Sequence, residues 1–244
     1  MIALPQTAMV LAAGLGTRLR PLTETTPKPL IEVAGRSLLD RCLDRLVEVG
    51  VRRAVVNVHW LGEQIRQHLA QRNDIETVIS DESDALLETG GGILHALPLL
   101  LPHGGDAPFF AVNADLIWRD MRGNALRRLA ARFDPAAMDG LLLLQPTIHA
   151  TGYDGMGDFT MDQLGGLTRR EQRSVAPFVY TGVQILSPAL FRDAPAGRFS
   201  LNLLYDRAIE AGRLFGYRHE GDWMDVGNHA GLRQAEALLH GRRP

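Results

Sequence analysis

Short apolar runs alternate along this chain with segments in which apolar residues recur every three to four positions. Ala8 to Ala13 is a continuous apolar run and predicts a buried strand. Ile31 to Gly35 reads as a short strand and turn. Ser37 occupies a helix N-cap position, Leu38, Leu39, Cys42, Leu43, Leu46 and Val47 repeat at helical spacing, and Gly50 ends that helix. Arg53 to Val58 predicts a buried strand, Gly62 to Gln71 a helix with Ile65 and Leu69 inward, and Glu76 to Ser80 another strand. Thr89 to Leu100 begins in glycines and becomes helical; Pro108 to Val112 is strand-like. Strands alternating with helices imply a parallel sheet covered on both faces.

The pattern changes near Asp139. Gly140 to Thr147 and Phe178 to Leu186 read as strands, Leu201 to Ala211 as a helix, Gly216 to His219 and Trp223 to Val226 as short strands, and His229 to Leu239 as a closing helix. Between them, residues 152–173 are rich in glycine and charge. No element is assigned between Asp115 and Asp139. The expected class is α/β: a mostly parallel mixed sheet with helices on both faces. It forms one domain, with a first lobe to about residue 145, a second at about 146–226 and a terminal helix at 228–240. Ligands of such sheets bind outside the carboxyl ends of the strands. Gly14, Ser80 and Asp115 all fall at predicted strand ends.

The loop after the first strand carries Gly14, Gly16, Thr17 and Arg18, and Lys28 follows between Pro27 and Pro29. Glycines let the backbone turn sharply, and a nest of N–H groups binds anions. The prolines suggest a lysine presented on a stiff, extended segment. Two phosphate motifs are excluded. G-x-x-x-x-G-K-[ST] does not occur. The dinucleotide fingerprint fails because Leu19 stands at its third glycine and His59 follows the second strand where an acidic residue belongs. Met9 to Leu30 instead resembles the signature of the sugar-1-phosphate nucleotidyltransferases, L-A-A-G-x-G-T-R-[LM]-x-P-L-T followed by P-K-P-[LM]. The match is nearly complete from Leu11 to Leu30.

Further motifs support that resemblance. Leu86 to Gly92, with Glu88, Thr89, Gly90 and Gly91, resembles the family segment that holds the nucleobase edge and lines the sugar site; alone, it also reads as a helix capped by Thr89. Asn113-Ala114-Asp115 stands where the family shows N-G-D, and alanine tolerates positive φ poorly. Trp223-Met224-Asp225-Val226-Gly227 resembles the segment supplying a second metal carboxylate; alone, Asp225 reads as a cap for the last helix. Gly155-Met156-Gly157-Asp158-Phe159, Trp60-Leu61-Gly62 and the short chain resemble the bacterial uridylyltransferase branch that uses N-acetylmuramate 1-phosphate, although the glycine–aspartate piece alone reads as a surface turn. Thr181-Gly182 lies in a strand where glycine permits close ligand approach. One family element, an E-K-P lysine that holds the sugar phosphate, is absent. Arg169-Arg170-Glu171-Gln172-Arg173 stands there, and such a run also reads as a solvated face.

The chain has 244 residues, 45% hydrophobic and 22% charged, with a formal net charge of -2. No strong basic field exists, so nucleic acid is not an expected partner. Cys42 is the single cysteine and reads as a small buried hydrophobe. No apolar run is long enough to span a bilayer and Met1 to Thr7 is no secretory signal, so no membrane association and a cytoplasmic location are expected. The eight histidines show no zinc spacing, and no G-x-S-x-G occurs.

The resemblance implies a Rossmann-like nucleotidyltransferase fold with a small acceptor-binding lobe, without the extension that longer members append. It implies that an NTP, most simply UTP, and a sugar 1-phosphate, most simply N-acetylmuramate 1-phosphate, give a nucleotide sugar and pyrophosphate, a step in cell-wall recycling. Leu11, Ala12, Ala13, Gly14, Gly16, Thr17, Arg18, Lys28, Gly90, Gly91 and Asn113 would hold the nucleotide, with Arg18 and Lys28 catalytic. Glu88, Thr89, Asp158, Thr181 and Gly182 would hold the sugar phosphate, and Asp115 and Asp225 would hold Mg²⁺. A monomer or small homo-oligomer is expected. The alternatives are GTP with mannose or heptose 1-phosphate, CTP with a choline-type phosphate, and a non-catalytic nucleotide-sensing subunit.

Overall fold

The computed structural model describes residues 3–241, so the first two residues of the Met1 to Thr7 stretch lie outside it. In chain order the elements begin with β1 (Thr7–Leu11), α1 (Leu22–Thr25), β2 (Glu32–Val33), β3 (Arg36–Ser37), α2 (Leu38–Val49), β4 (Arg53–Val58), α3 (Gly62–Leu69) and β5 (Glu76–Asp81). There follow α4 (Glu88–Leu100), β6 (Phe109–Asn113), β7 (Leu116–Asp120), α5 (Ala125–Arg132), β8 (Gly140–Pro146), β9 (Ala150–Thr151), β10 (Phe159–Met161) and β11 (Leu167–Arg169). β12 (Phe178–Leu186), α6 (Asn202–Glu210), β13 (Leu214–Arg218), β14 (Gly221–Asp225) and α7 (His229–Leu239) complete the chain. No helix among the described residues is long and apolar enough to cross a membrane.

The nine-stranded sheet takes strands from both halves of the chain. β6, β1, β4 and β5 are parallel neighbours in that order. β12 joins β6 antiparallel and extends the sheet to β8 and β13, while the β10–β11 hairpin hangs from its start. Period-two alternation divides the core between the two faces. Ala8, Val10, Phe110, Val112, Leu141 and Leu143 pack with α2, α3 and α5. Met9, Phe109, Ala111, Leu142 and Leu144 pack with α4 and α6. Ser37 caps α2 by accepting from the Asp40 N–H, and Gly50 closes it at φ 95°. Cys42 is fully buried, and burial pushes its thiol up to about 12.

The stretch without an assigned element holds two. β7 pairs antiparallel with β14, which pairs with β9, forming a second, three-stranded sheet. α5 begins at Asn124, whose side chain accepts from the Leu126 and Arg127 N–H groups. β7 is short and half polar, and its partner strand lies about a hundred residues downstream. Its strand character comes from that pairing rather than from its own periodicity.

Candidate active site

β1 is flanked by β4 on one side and β6 on the other, so the connections diverge at its carboxyl end. Such a switch point leaves a crevice. A cavity of about 330 Å³ opens there, lined by Leu11, Ala12, Ala13, Gly14, Lys28, Pro29, Asn57, Glu82, Leu86, Glu88, Thr89, Asn113, Asp115 and Ser200. Nine of the expected ligand residues therefore share one wall: Leu11, Ala12, Ala13, Gly14, Lys28, Glu88, Thr89, Asn113 and Asp115.

The loop from Gly14 to Lys28 is folded back on itself. Gly16 has φ 62°, and a Cβ there would stand 2.8 Å from Thr23 Cγ2 and 3.1 Å from Lys28 Cβ. Thr23 donates its hydroxyl to the Gly16 carbonyl at 2.9 Å. Thr17 starts a 3₁₀ turn to Leu19, whose buried side chain packs with Met224, Val226 and Ala235. That anchor brings the Arg18 guanidinium beside Gly227, where a Cβ would stand 2.8 Å from it. Lys28 is not on an extended segment: Pro27 is extended, and Lys28 opens a 3₁₀ turn to Leu30. The lysine is buried, with Nζ 2.5 Å from Asp115 Oδ2.

Asp115 and Asp225 are brought together by strand register. β14 ends with Asp225 opposite Leu116, the neighbour of Asp115. Burial raises the Asp225 carboxyl above its ordinary range and the Asp115 charge adds to this, while Lys28 and Arg18 oppose it. Asp225 does not cap the last helix; Asn228 does, accepting from the Gly231 N–H. Ala114 is not one of the five non-glycine residues with positive φ among those described, and its N–H donates to the Leu11 carbonyl. No three His, Cys, Asp or Glu side chains among the described residues form a metal cluster. Asp115 on the cavity wall, with the Asp225 carboxylate near enough to feel its charge, nevertheless fits a hard cation that takes few carboxylates and completes its shell with other oxygens.

Several expected ligand residues also make contacts within the fold. The Gly90 and Gly91 N–H groups both donate to the Phe199 carbonyl. Their missing side chains leave room for the Phe199 ring and the Gly197 carbonyl. Thr89 is not the cap of α4, which begins after Leu87; its hydroxyl accepts from the Leu201 N–H. Thr181 is buried and donates to the Leu143 carbonyl, while its own carbonyl accepts the Trp223 indole N–H. Gly182, at φ 83°, makes room for Leu116 and Asn113. Asp158 accepts from the Tyr180 N–H at 2.8 Å, and the Tyr153 hydroxyl accepts from the Gly157 N–H. Of the three arginines in the 169–173 run, Arg170 meets this turn, donating to the Gly157 carbonyl. Arg169 lies over the Phe159 and Tyr205 rings and pairs with Asp206, and Arg173 is exposed.

Three residues lining the cavity carried no motif: Asn57, Glu82 and Ser200. Asn57 accepts from the Ala12 N–H at 2.7 Å and donates to Glu82 Oε1 at 2.7 Å, and Glu82 also accepts from the Leu87 N–H. Both are 2% exposed. They join the ends of β1, β4 and β5 to the start of α4. Polar residues at the ends of two apolar strands were the available signal.

The glycines make opposite predictions. Gly91→Ala should destabilise by about 1–3 kcal/mol in urea unfolding, because the new methyl meets backbone that cannot rotate aside. Gly14→Ala should leave stability nearly unchanged, since a Cβ there meets nothing within 4 Å, yet weaken nucleotide binding by narrowing the cavity wall.

Gly14 of the glycine loop, Lys28 and Asp115 thus gather at the switch point of a mixed sheet, with Asp225 nearby. The chain belongs to the nucleotidyl transferase family, whose profile matches residues 7–164. Within that family it is similar to the N-acetylmuramate alpha-1-phosphate uridylyltransferase of Caulobacter vibrioides, with 45% identity over 239 residues, covering 96% of this chain and 97% of that protein. The Neisseria meningitidis protein of the same name is 36% identical, covering 95% of this chain and 97% of its own. The inositol-1-phosphate CTP transferase from T. maritima superposes with a TM-score of 0.77 at 16% identity, over 98% of this chain and 96% of its own, a likeness of fold. Nucleotidyltransferases of this family generally use a divalent metal.

Proposed function

We propose that this enzyme joins UTP to N-acetylmuramate 1-phosphate, giving the UDP-sugar and pyrophosphate in cell-wall recycling in the cytoplasm. The observation that carries the chemistry is the Lys28–Asp115 pair on the cavity wall, with the Asp225 carboxyl under the charges of both and of Arg18. The choice of substrates rests on the two uridylyltransferases that align end to end with the chain.

A sugar-phosphate oxygen attacks the α-phosphorus of UTP. One P–O bond forms, the bond to the β-phosphate oxygen breaks, and pyrophosphate leaves with that electron pair. Catalysis then consists of alignment and stabilisation of charge on the phosphoryl oxygens. The Gly14–Arg18 loop cradles the triphosphate, Arg18 faces the leaving pyrophosphate, and Lys28 contacts the α-phosphate. Asp115 and Asp225 would hold Mg²⁺, which would supply charge neutralisation to the phosphates. Residues to about 145 take the nucleotide. The lobe after it takes the sugar phosphate, with Glu88 reaching it from α4 and Asp158 held in its turn by Tyr180.

Pyrophosphate release across a panel of NTPs and sugar 1-phosphates tests this reading. UTP with N-acetylmuramate 1-phosphate should give the highest turnover. At about 100 times its dissociation constant, UTP with Mg²⁺ should add about 2.7 kcal/mol, roughly 5–10 °C in Tm. A larger shift with GTP or CTP would overturn the uridylyl assignment and leave the family assignment in place.

A further inference from the structure

We propose that Trp60 is a positioning residue for the phosphate-binding loop, acting through Thr23. The proposal rests on the reading that the Gly14–Arg18 loop holds the nucleotide's phosphates. Trp60 lies at the carboxyl end of β4, and its indole N–H donates to the Thr23 carbonyl at 3.0 Å. One turn later, Gln64 donates to the Thr25 carbonyl at 2.9 Å. Thr23, only 2% exposed, donates its own hydroxyl to the Gly16 carbonyl and presses its methyl against the Gly16 backbone. A chain of two hydrogen bonds thus runs from the indole to the one left-handed residue of the loop.

The same short segment grips the other end of the loop. Asn57 accepts the Ala12 N–H, and His59 Nδ1 lies 2.7 Å from the Glu82 carbonyl. The stretch from Asn57 to Gln64 is therefore a brace, fixed on one side to β5 and on the other to both ends of the loop.

The shape of the brace favours this role over packing. Trp60 is 41% exposed, so burial alone gives little reason for the largest side chain at this place. Leu61 adopts φ 51°, a left-handed conformation that a leucine takes at a cost, and Gly62 follows where a Cβ would crowd Val58. The strained turn and the glycine together start α3 in the direction that places the indole N–H and the Gln64 amide over residues 23–25.

Trp60→Phe keeps an aromatic ring and removes the N–H. It should lower kcat/KM for the best nucleotide about fivefold, the scale of one neutral hydrogen bond, with KM for the sugar phosphate unchanged at saturating nucleotide. Trp60→His, which retains a ring N–H, should recover part of the loss. Thr23→Val should cost more alone than in the Trp60→Phe background, because both act through one residue. Amide exchange at residues 14–19 should quicken in Trp60→Phe, a readout independent of turnover. Wild-type exchange and wild-type nucleotide kinetics in Trp60→Phe would overturn the proposal, as would equal losses for both substrates. A wild-type enzyme that releases no pyrophosphate with any pair would instead count against the proposed reaction, while the exchange measurement still decides the role of Trp60.

Discussion

Asp115→Asn and Asp225→Asn should each cut turnover by about 10²–10³-fold while moving stability in opposite directions. The loss of rate follows from charge: each change removes a carboxylate from the proposed cation site beside the substrate phosphates. The two act as one unit, so the double variant should lose much less than the product of the single losses. The stability effects follow from what each carboxylate faces. Asp115 is the partner of the buried Lys28 ammonium, so Asp115→Asn leaves that cation without its hydrogen-bonded anion and should lower Tm. Asp225 has a carboxyl raised by burial and by the Asp115 charge. A raised folded pKa means that the fold disfavours the ionised form. That penalty is fully present above the folded pKa and absent below the ordinary carboxylate range. Asp225→Asn should therefore raise Tm at neutral pH in metal-free buffer, and the gain should fade as the pH falls through the folded pKa. Kinetics with Mg²⁺ and melting curves at two pH values measure both effects. Fully multiplicative single losses would mean that the two aspartates have independent roles.

Lys28→Ala should lower kcat by about 10²–10³-fold, the usual cost of one charged contact to the reacting phosphoryl group. The ammonium is held at 2.5 Å by Asp115, with an 8% exposed side chain. Its position on the cavity wall is thus set before substrate arrives, and little reorganisation is needed during the reaction. Removing it also leaves Asp115 and Asp225 facing each other without their nearest cation. Because Asp115 keeps 38% exposure, water relieves part of that repulsion. The expected loss of stability is roughly 1–3 kcal/mol, below the cost of breaking a fully buried pair. Urea unfolding separates this loss from the kinetic one. A folded variant with wild-type kcat would remove Lys28 from the reaction.

Much of this architecture was legible from residues 7–113. The strand–helix alternation there is strongly periodic, and helix ends such as Ser37 and Gly50 are marked by residues whose local chemistry requires a cap or a left-handed turn. The signature from Leu11 to Leu30 placed the phosphate loop at a strand's carboxyl end, and the cavity lies there. β7 was not legible because its strand character is created by β14, far along the chain, and the β10–β11 hairpin was not legible because its two strands pair locally over only three residues each, too few to show a period.

The sequence by itself determined the order of elements as far as Val112, the family and the set of polar residues available to a phosphate site. Tertiary structure decided which of them meet. Lys28 finds Asp115 across 87 residues, and Asn57 finds Glu82 through the pairing of β4 and β5. Gly90 and Gly91 show the limit most clearly. A glycine in the sequence says that a Cβ is unwelcome, but not whether a ligand or the protein's own backbone takes the space. Here the carbonyl of Phe199, more than a hundred residues away, takes their N–H groups. That outcome depends on how α4 packs against the segment before α6, a distance set by the whole core and by no local run of residues.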